Sequence, residues 1–336
     1  MVYDCFTFFN ELDLLEIRLN TLKDVVDCFV IAEATRTHRG KPKELFFEKN
    51  RERYASFLDR IRYIVVDNLL SEEEVEKDAY NLPWVNENRQ RNALQKGVDG
   101  ANDDDVVMLS DVDEIPRPEA VQYAVAKLSK KCPSLRMELD FFNFYLNFHN
   151  YSYPTWKLGT QALRYGYIRN GCEIAKVKPD RYTQLSENAG PTFNKIRFLR
   201  SRGRIKKAGW HFSFLGGVKA IQNKLAAFSH SEFSSVPVEV LEQRLKNGDD
   251  LFGRVGKSFG VAIDSSLPDY VVENRTRFSN LIFPVDEAYF IKTRRDRMYA
   301  SLRGRMYRML VAMVPEFLAP VAVRIRDVIM RRLGRI

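Results

Sequence analysis

The sequence predicts an α/β protein with a Rossmann-like, mostly parallel sheet and a helical C-terminal tail. Strand-like apolar runs alternate with helical stretches throughout residues 2–128, a pattern typical of βαβ units. The run at 106–109 suits a buried central strand and ends in carboxylates. Beyond residue 128 the sequence becomes aromatic and β-type. These changes predict one domain over residues 1–290, divided after residue 128, and a separate tail over residues 291–336.

The elements of the first half follow from the apolar runs and their flanking residues. Strands are predicted at residues 2–9, 25–33, 61–67 and 106–109. Helices are predicted between them at residues 12–22, 51–60 and 83–94. Asn10 is the expected cap of the first helix, and Pro83 begins the last one. Glu33 ends the second strand, and the polar loop after it is a candidate ligand loop because ligands bind at the carboxyl ends of parallel strands.

Asp111 and Asp113 follow the apolar run at 106–109. Side chains two residues apart on an extended segment point the same way, so this pair is expected to share one cation. Oxygen-only ligands favour Mg²⁺ or Mn²⁺, which usually also hold substrate phosphates. Such a cation neutralises a diphosphate leaving group, which points to transfer from a nucleotide-activated donor. Glu114 is either a third ligand or the cap of a helix after Pro116.

The second half is predicted to be an antiparallel, aromatic region. Its aromatic residues over 139–148 and at Trp156 suit both a core and a sugar-binding face. The glycines of the segment 209–217 indicate a backbone packed close to another group, and a helix is predicted at 218–228.

The charge and the cysteines narrow the function classes. The net charge is +9, but residues 292–336 carry twelve Lys or Arg against three Asp or Glu, so the preceding chain is balanced. This distribution argues against nucleic acid as a partner. Cys5, Cys28, Cys132 and Cys172 form no CxxC pair, which argues against zinc and suits a reducing compartment. The N-terminus has no basic leader, so a cytoplasmic location is expected.

The tail carries two apolar stripes at helical spacing, and Arg297, Arg305 and Arg308 lie away from the first of them. The first stripe consists of Met298, Leu302, Met306, Met309, Leu310, Met313 and Phe317, and the second of Val321, Ile325, Val328, Ile329 and Leu333. Basic amphipathic helices suit anionic membrane surfaces, which would place the protein at the inner face of a membrane. Packing on the chain's own domain and contact with another subunit are the alternatives.

Five motifs occur in order, and together they resemble those of glycosyltransferase family 17. They are YDCFTFFNELD at 3–13, VIAEA at 30–34, QRN at 90–92, LSDVDEIP at 109–116 and AGWH at 208–211. The likeness continues to about residue 283. The resemblance implies a GT-A-like fold whose halves, 1–128 and 129–290, bind nucleotide-sugar and acceptor. It also implies a UDP-sugar donor (UDP-GlcNAc in characterised members), Mn²⁺ or Mg²⁺, and inversion at the anomeric carbon.

Carried over by position, the resemblance gives roles to individual residues. Asp111 and Asp113 match the metal and nucleotide motif, and His211 is a further metal or phosphate ligand unless it is a satisfied core residue. Glu33, Arg91 and Asn92 would face the nucleotide, although Arg91 equally suits a structural pair with the acidic loop.

The general base that inversion requires is not identified by a motif. Glu173, Asp180 and Glu232 lie in the acceptor half, and Glu232 is preferred. The predicted function is therefore a metal-dependent inverting glycosyltransferase that acts on a glycan or lipid-linked acceptor. A metal-dependent nucleotidyl or phosphoryl transferase, and a non-enzymatic membrane-binding protein built around the tail, are the alternatives.

Overall fold

Two β-sheets organise the chain in the computed structural model, which describes residues 1–171, 192–229, 236–252 and 256–312. The strands are β1 Val2–Phe8, β2 Cys28–Ala34, β3 Ile61–Val66, β4 Val106–Asp111, β5 Glu114–Pro116, β6 Ser134–Met137, β7 Leu139–Asn143, β8 Phe148–Asn150, β9 Thr155–Trp156, β10 Gln161–Arg164, β11 Gly203–Ile205, β12 Gly209–Ser213 and β13 Ser258–Gly260. The α-helices are α1 Leu12–Leu22, α2 Phe46–Lys49, α3 Glu72–Glu76, α4 Leu82–Ala93, α5 Pro118–Lys127, α6 Tyr165–Arg169, α7 Phe193–Phe198, α8 Gly217–Ala227, α9 Val238–Asn247, α10 Asp269–Glu273 and α11 Glu287–Ala312. The 3₁₀ segments are Arg51–Arg60, Leu94–Val98 and Ser279–Leu281.

The first sheet has seven strands in the order β11-β6-β10-β4-β1-β2-β3. Strands β4, β1, β2 and β3 run parallel, as do β6 and β11, whereas β10 is antiparallel to both of its neighbours. All seven residues of β2 are buried because apolar clusters cover both faces of the sheet. The predicted α/β class with a mostly parallel, Rossmann-like sheet is confirmed.

The register of this sheet brings the predicted strand ends together. Thr7 lies opposite Asp111, and Phe8 lies opposite Glu33. The predicted cap of α1 is wrong. The helix begins at Leu12, and the residue before it, Glu11, accepts hydrogen bonds from the backbone N–H groups of Phe9 and Asn10. The Glu11 carboxylate therefore organises the turn that was assigned to Asn10.

The second sheet has the order β13-β8-β7-β12-β5, with β9 paired to β7. Its neighbours are antiparallel except for β7 and β12, which are parallel. The predicted antiparallel region is therefore confirmed only in part, because β6, β10 and β11 of the same half join the first sheet, where β6 and β11 also run parallel. Phe142 and Phe212 are buried in a core beneath it. The predicted close approach of the segment 209–217 is also confirmed, because a Cβ at Gly209 would lie 2.2 Å from the Ile115 carbonyl oxygen.

The chain passes from one sheet to the other within the acidic motif. It leaves the seven-stranded sheet at Asp111 and enters the second sheet at Glu114, so Val112 and Asp113 form the turn between them. The expectation of one extended segment through Asp113 is therefore wrong, because the strand ends two residues earlier.

Helix α11 packs against the domain through its small residues. Ala300 is buried, its carbonyl oxygen accepts from Ser152 Oγ at 3.2 Å, and a Cβ at Gly304 would lie 2.2 Å from the Ser152 carbonyl oxygen. Part of the tail thus packs on its own domain. The division after residue 128 stays a prediction, and the first sheet takes strands from both sides of it.

Candidate active site at the junction of the two sheets

Asp111 ends β4 and lies at the open side of the junction. Its Oδ1 accepts hydrogen bonds from Arg91 Nη2 at 3.1 Å and from Thr7 Oγ1 at 3.4 Å. Burial acts to raise the pKa of Asp111, but the guanidinium groups of Arg91 and Arg197 outweigh burial and hold this pKa well below its usual range. Asp111 is therefore an ionised carboxylate whose Oδ2 makes no hydrogen bond to the part of the chain that the structure describes.

Asp113 is buried in the junction and faces a half-buried cation. Its Oδ2 accepts from Lys224 Nζ at 3.0 Å, and this ammonium also lies 3.3 Å from Glu11 Oε1. Burial lowers the pKa of Lys224, but the two carboxylates outweigh burial and raise this pKa above its usual value. The Lys224 charge is thus fixed beside the turn.

Glu114 begins β5 and is fully engaged. Both of its oxygens accept from Arg197 Nη2, at 2.7 and 2.6 Å, and Oε1 also accepts from Trp156 Nε1 at 2.6 Å. Burial raises the pKa of Glu114 to about 7, although Arg197 opposes this shift. The predicted cap role is wrong, because α5 begins at Pro118 without a side-chain cap. Glu114 instead ties the turn to α7 and β9.

His211 in β12 lies between two aromatic rings and beside Asp113. Its ring centroid is 5.1 Å from that of Phe141 and 4.7 Å from that of Trp156, and its Nε2 is 3.6 Å from Asp113 Oδ1. Burial lowers the pKa of His211 to about 4, so the imidazole is neutral at physiological pH. Its Nδ1 is buried and lacks a hydrogen-bond partner among the described residues, so it is not a satisfied core histidine.

Arg18 is one residue of the site that was not predicted from the sequence. It is fully buried in α1, and its Nε and Nη2 donate to Asp4 at 2.7 and 2.6 Å. Its Nη1 donates to three carbonyl oxygens of the acidic turn, those of Asp111, Val112 and Glu114, at 3.0, 3.3 and 2.9 Å. A charged residue between the apolar residues Ile17 and Leu19 was the available signal. Arg18 therefore fixes the backbone that carries the carboxylates.

A second hydrogen-bond network that was not predicted positions Arg91. Arg91 Nη2 donates to Glu87 Oε1 at 2.9 Å, and Ser229 Oγ donates to Glu87 Oε2 at 2.6 Å. Ser229 Oγ also lies 3.1 Å from Nδ1 of His38, which belongs to the loop after β2. The strand-end loop of β2 is thus connected to Asp111 through Arg91.

The remaining predicted residues have other surroundings. The Glu33 carboxylate is buried and accepts from Lys43 Nζ and Tyr63 Oη and from the backbone N–H groups of Phe46 and Phe47, at 2.6 to 3.0 Å. Asn92 Oδ1 accepts from the Asn194 backbone N–H at 2.9 Å. Glu173, Asp180 and Glu232 lie outside the described residues. The nucleotide-facing roles of Glu33 and Asn92, and the general base, stay predictions.

The two aspartates are suited to a divalent cation that is also held by substrate. No group of three or more His, Cys, Asp or Glu within the described ranges has the spacing of a metal cage. Asp111 Oδ2 and Asp113 Oδ1 nevertheless accept no hydrogen bond from the described residues. One or two carboxylates with substrate phosphates and water are the usual ligands of Mg²⁺. The residues therefore fit a substrate-completed site.

The sequence model of glycosyltransferase family 17 matches residues 1–170. The chain is also similar to β-1,4-mannosyl-glycoprotein 4-β-N-acetylglucosaminyltransferases. The human and rat proteins are 29% identical and the mouse protein is 28% identical over 120 residues. This stretch is 34% of the present chain and 21% of each relative, so the chain spans about a fifth of their length.

Two solved structures show a limited likeness. A 4-diphosphocytidyl-2C-methyl-D-erythritol synthase from Anaerococcus prevotii has a TM-score of 0.34 and 13% identity, with 61% of this chain and 86% of that chain covered. S. aureus TarS (residues 1–349) has a TM-score of 0.35 and 10% identity, with 73% and 69% covered.

Proposed function

The chain belongs to glycosyltransferase family 17, and from this premise we propose that the junction site transfers a sugar, with inversion, from a UDP-sugar to a glycan or lipid-linked acceptor. UDP-GlcNAc is the proposed donor. The observation that carries the proposal is the pair Asp111 and Asp113, placed between two sheets with one oxygen of each carboxylate left for a ligand. Such a pair at the carboxyl end of a parallel strand suits a nucleotide diphosphate and its cation.

The cations of the site prepare it for a charged substrate. Arg91, Arg197 and Lys224 each pair with a carboxylate of the turn, at 2.6 to 3.1 Å. Their positive charge is held in place by these ion pairs before a substrate arrives, so it needs little rearrangement to stabilise developing negative charge. We infer that Lys224, at 24% side-chain exposure, lies near enough to solvent to reach an incoming phosphate.

A divalent cation held by Asp111 Oδ2 and Asp113 Oδ1 would supply the charge that neutralises the departing diphosphate. In the proposed step the acceptor oxygen bonds to the anomeric carbon while the bond from that carbon to the UDP oxygen breaks. The acceptor proton passes to a carboxylate base, for which Glu232 and then Glu173 are the candidates. The neutral His211 beside Asp113 would offer an imidazole nitrogen as a further ligand for that cation.

Release of UDP tests the proposal directly. The full chain is incubated with UDP-GlcNAc and Mn²⁺, with and without a glycan mixture, and compared with the Asp111→Asn and Asp113→Asn variants. We expect each variant to lose UDP release at least about 100-fold, because each removes a carboxylate that would hold the cation, and the charge of that cation stabilises the diphosphate most strongly as it departs. Isothermal titration with UDP and Mn²⁺ should show weaker binding in both variants.

Asp59→Asn is the matched control. Asp59 is exposed and lies before the amino end of β3, at the sheet edge opposite to the site, so the same chemical change there should leave UDP release intact. Full UDP release by Asp113→Asn would contradict the assignment of Asp113 to the proposed site. A screen with other UDP-sugars tests the donor, and release of pyrophosphate from UTP in place of UDP from UDP-sugars would replace the proposal with nucleotidyl transfer.

A further inference from the structure

Helix α11 leaves one largely apolar face exposed in the described structure. Ile291, Met298, Leu302, Met306 and Met309 recur at steps of three, four and seven residues and are 41 to 71% exposed. We call these five residues the outer stripe. The packed residues Ala300 and Gly304 lie on the opposite side of the helix. The outer stripe is therefore not the face by which the helix attaches to the domain.

Basic side chains border the outer stripe on both sides. Arg294 and Arg305 lie along one edge at helical spacing, and Lys292 and Arg303 lie along the other. Arg295 lies within the stripe, between Ile291 and Met298, and all five basic residues are exposed. Residues 291–309 contain seven Lys or Arg and one acidic residue, Asp296. Three of the five stripe residues are methionines, whose flexible side chains adapt to irregular apolar surroundings.

We propose that the outer stripe of α11 docks the protein onto an anionic lipid surface, with the helix axis in the plane of the interface. The stripe would enter the boundary between headgroups and acyl chains while the bordering Arg and Lys side chains meet lipid phosphates. Charge complementarity favours a lipid surface over a second copy of this chain, because two such faces would bring their basic edges together. No helix of the described residues is long and apolar enough to span a bilayer.

One short segment connects α11 to the candidate site. In this segment Ser152 and Tyr153 contact Gly304 and Tyr307 of α11. The segment leads into β9, whose Trp156 packs against His211. The docking inference does not rest on the proposed sugar transfer, because binding to vesicles requires no turnover.

Vesicle flotation of the full chain tests the proposal. Vesicles of equal parts phosphatidylcholine and phosphatidylglycerol are compared with phosphatidylcholine alone, at low and high salt. We expect binding to the anionic vesicles that weakens with salt. A Met306→Asp/Met309→Asp variant should bind at least about tenfold less, because a carboxylate in the stripe opposes both apolar insertion and the anionic surface. The Arg294→Gln/Arg305→Gln variant should lose most of the salt-dependent part of its binding to anionic vesicles.

The controls separate docking from folding and from self-association. Tyr123→Asp places the same charge on an exposed apolar residue of α5 and should leave vesicle binding unchanged. Met306→Leu/Met309→Leu should retain binding, and circular dichroism should show the same thermal unfolding for all variants. Binding that is equal for the native chain and the Asp variant would overturn the proposal. The proposal would also be overturned if sedimentation showed that the native chain is a dimer, that the Asp variant is a monomer, and that the native dimer binds no vesicles.

Discussion

Arg18→Met is expected to separate the stability of the fold from the geometry of the acidic turn. In the native chain one buried guanidinium pairs with Asp4 and also donates to three carbonyl oxygens of the turn. Removal of one partner of a buried ion pair costs about 3–5 kcal/mol, because the other charge stays buried and unpaired. We therefore expect the free energy of unfolding to fall by about 4 kcal/mol.

A double variant, Asp4→Val/Arg18→Met, removes both charges together. Since replacement of a buried pair by apolar residues is often nearly neutral, this variant should unfold within about 2 kcal/mol of the native chain. The three turn carbonyls still lack their donor, so UDP release should stay at least about tenfold below native. Arg18→Lys is the matched control, because it keeps the charge but not the planar fork that reaches Asp4 and the turn together.

Urea unfolding, followed by the fluorescence of Trp84, Trp156 and Trp210, measures the free energy of unfolding. UDP release measures the effect on the geometry of the acidic turn. Recovery of both stability and full activity in the double variant would refute the positioning role of Arg18. An unchanged urea midpoint in Arg18→Met would refute the buried pair itself.

Three further predictions concern packing, protonation and one hydrogen bond. Gly209→Ala should destabilise the fold by about 2 kcal/mol, because the added Cβ would meet the Ile115 carbonyl oxygen. Gly217→Ala should destabilise it by only about 1 kcal/mol, because Gly217 has a positive φ but open space around it. Urea unfolding measures both changes. Burial lowers the pKa of His149, so the unfolded chain takes up the proton first and stability declines as the pH falls below the unfolded pKa of about 6.5. His149→Phe should reduce that decline in a pH series of urea midpoints. Trp156→Phe keeps a ring beside His211 but removes the donor to Glu114, and a thermal unfolding assay should show a loss of about 2 kcal/mol.

The sequence predicted the parts of the fold that depend on local pattern. Apolar runs located β1 to β4 to within three residues, because a strand buried on both faces consists almost entirely of apolar residues. The strand–carboxylate boundary likewise indicated Asp111 and Asp113. The turn between two sheets was not predictable in this way, because nothing within residues 109–116 specifies that Glu114 joins another sheet.

Long-range partners were the other part that the sequence could not supply. Glu114 meets Arg197 and Asp113 meets Lys224, contacts that no local periodicity encodes. Arg91 was left open between a nucleotide role and a structural pair, and the structure shows the pair with Asp111. Arg18 was detectable only as a charged residue in an apolar helix face, a signal that does not name its partner.

The long separations within the site determine when it becomes complete during synthesis. The acidic turn leaves the ribosome 83 residues before Arg197 and 111 residues before Lys224. The nascent chain therefore carries unpaired carboxylates until much of the second sheet has been made. A fragment that ends where the family match ends, at residue 170, would contain the turn without two of its three cations.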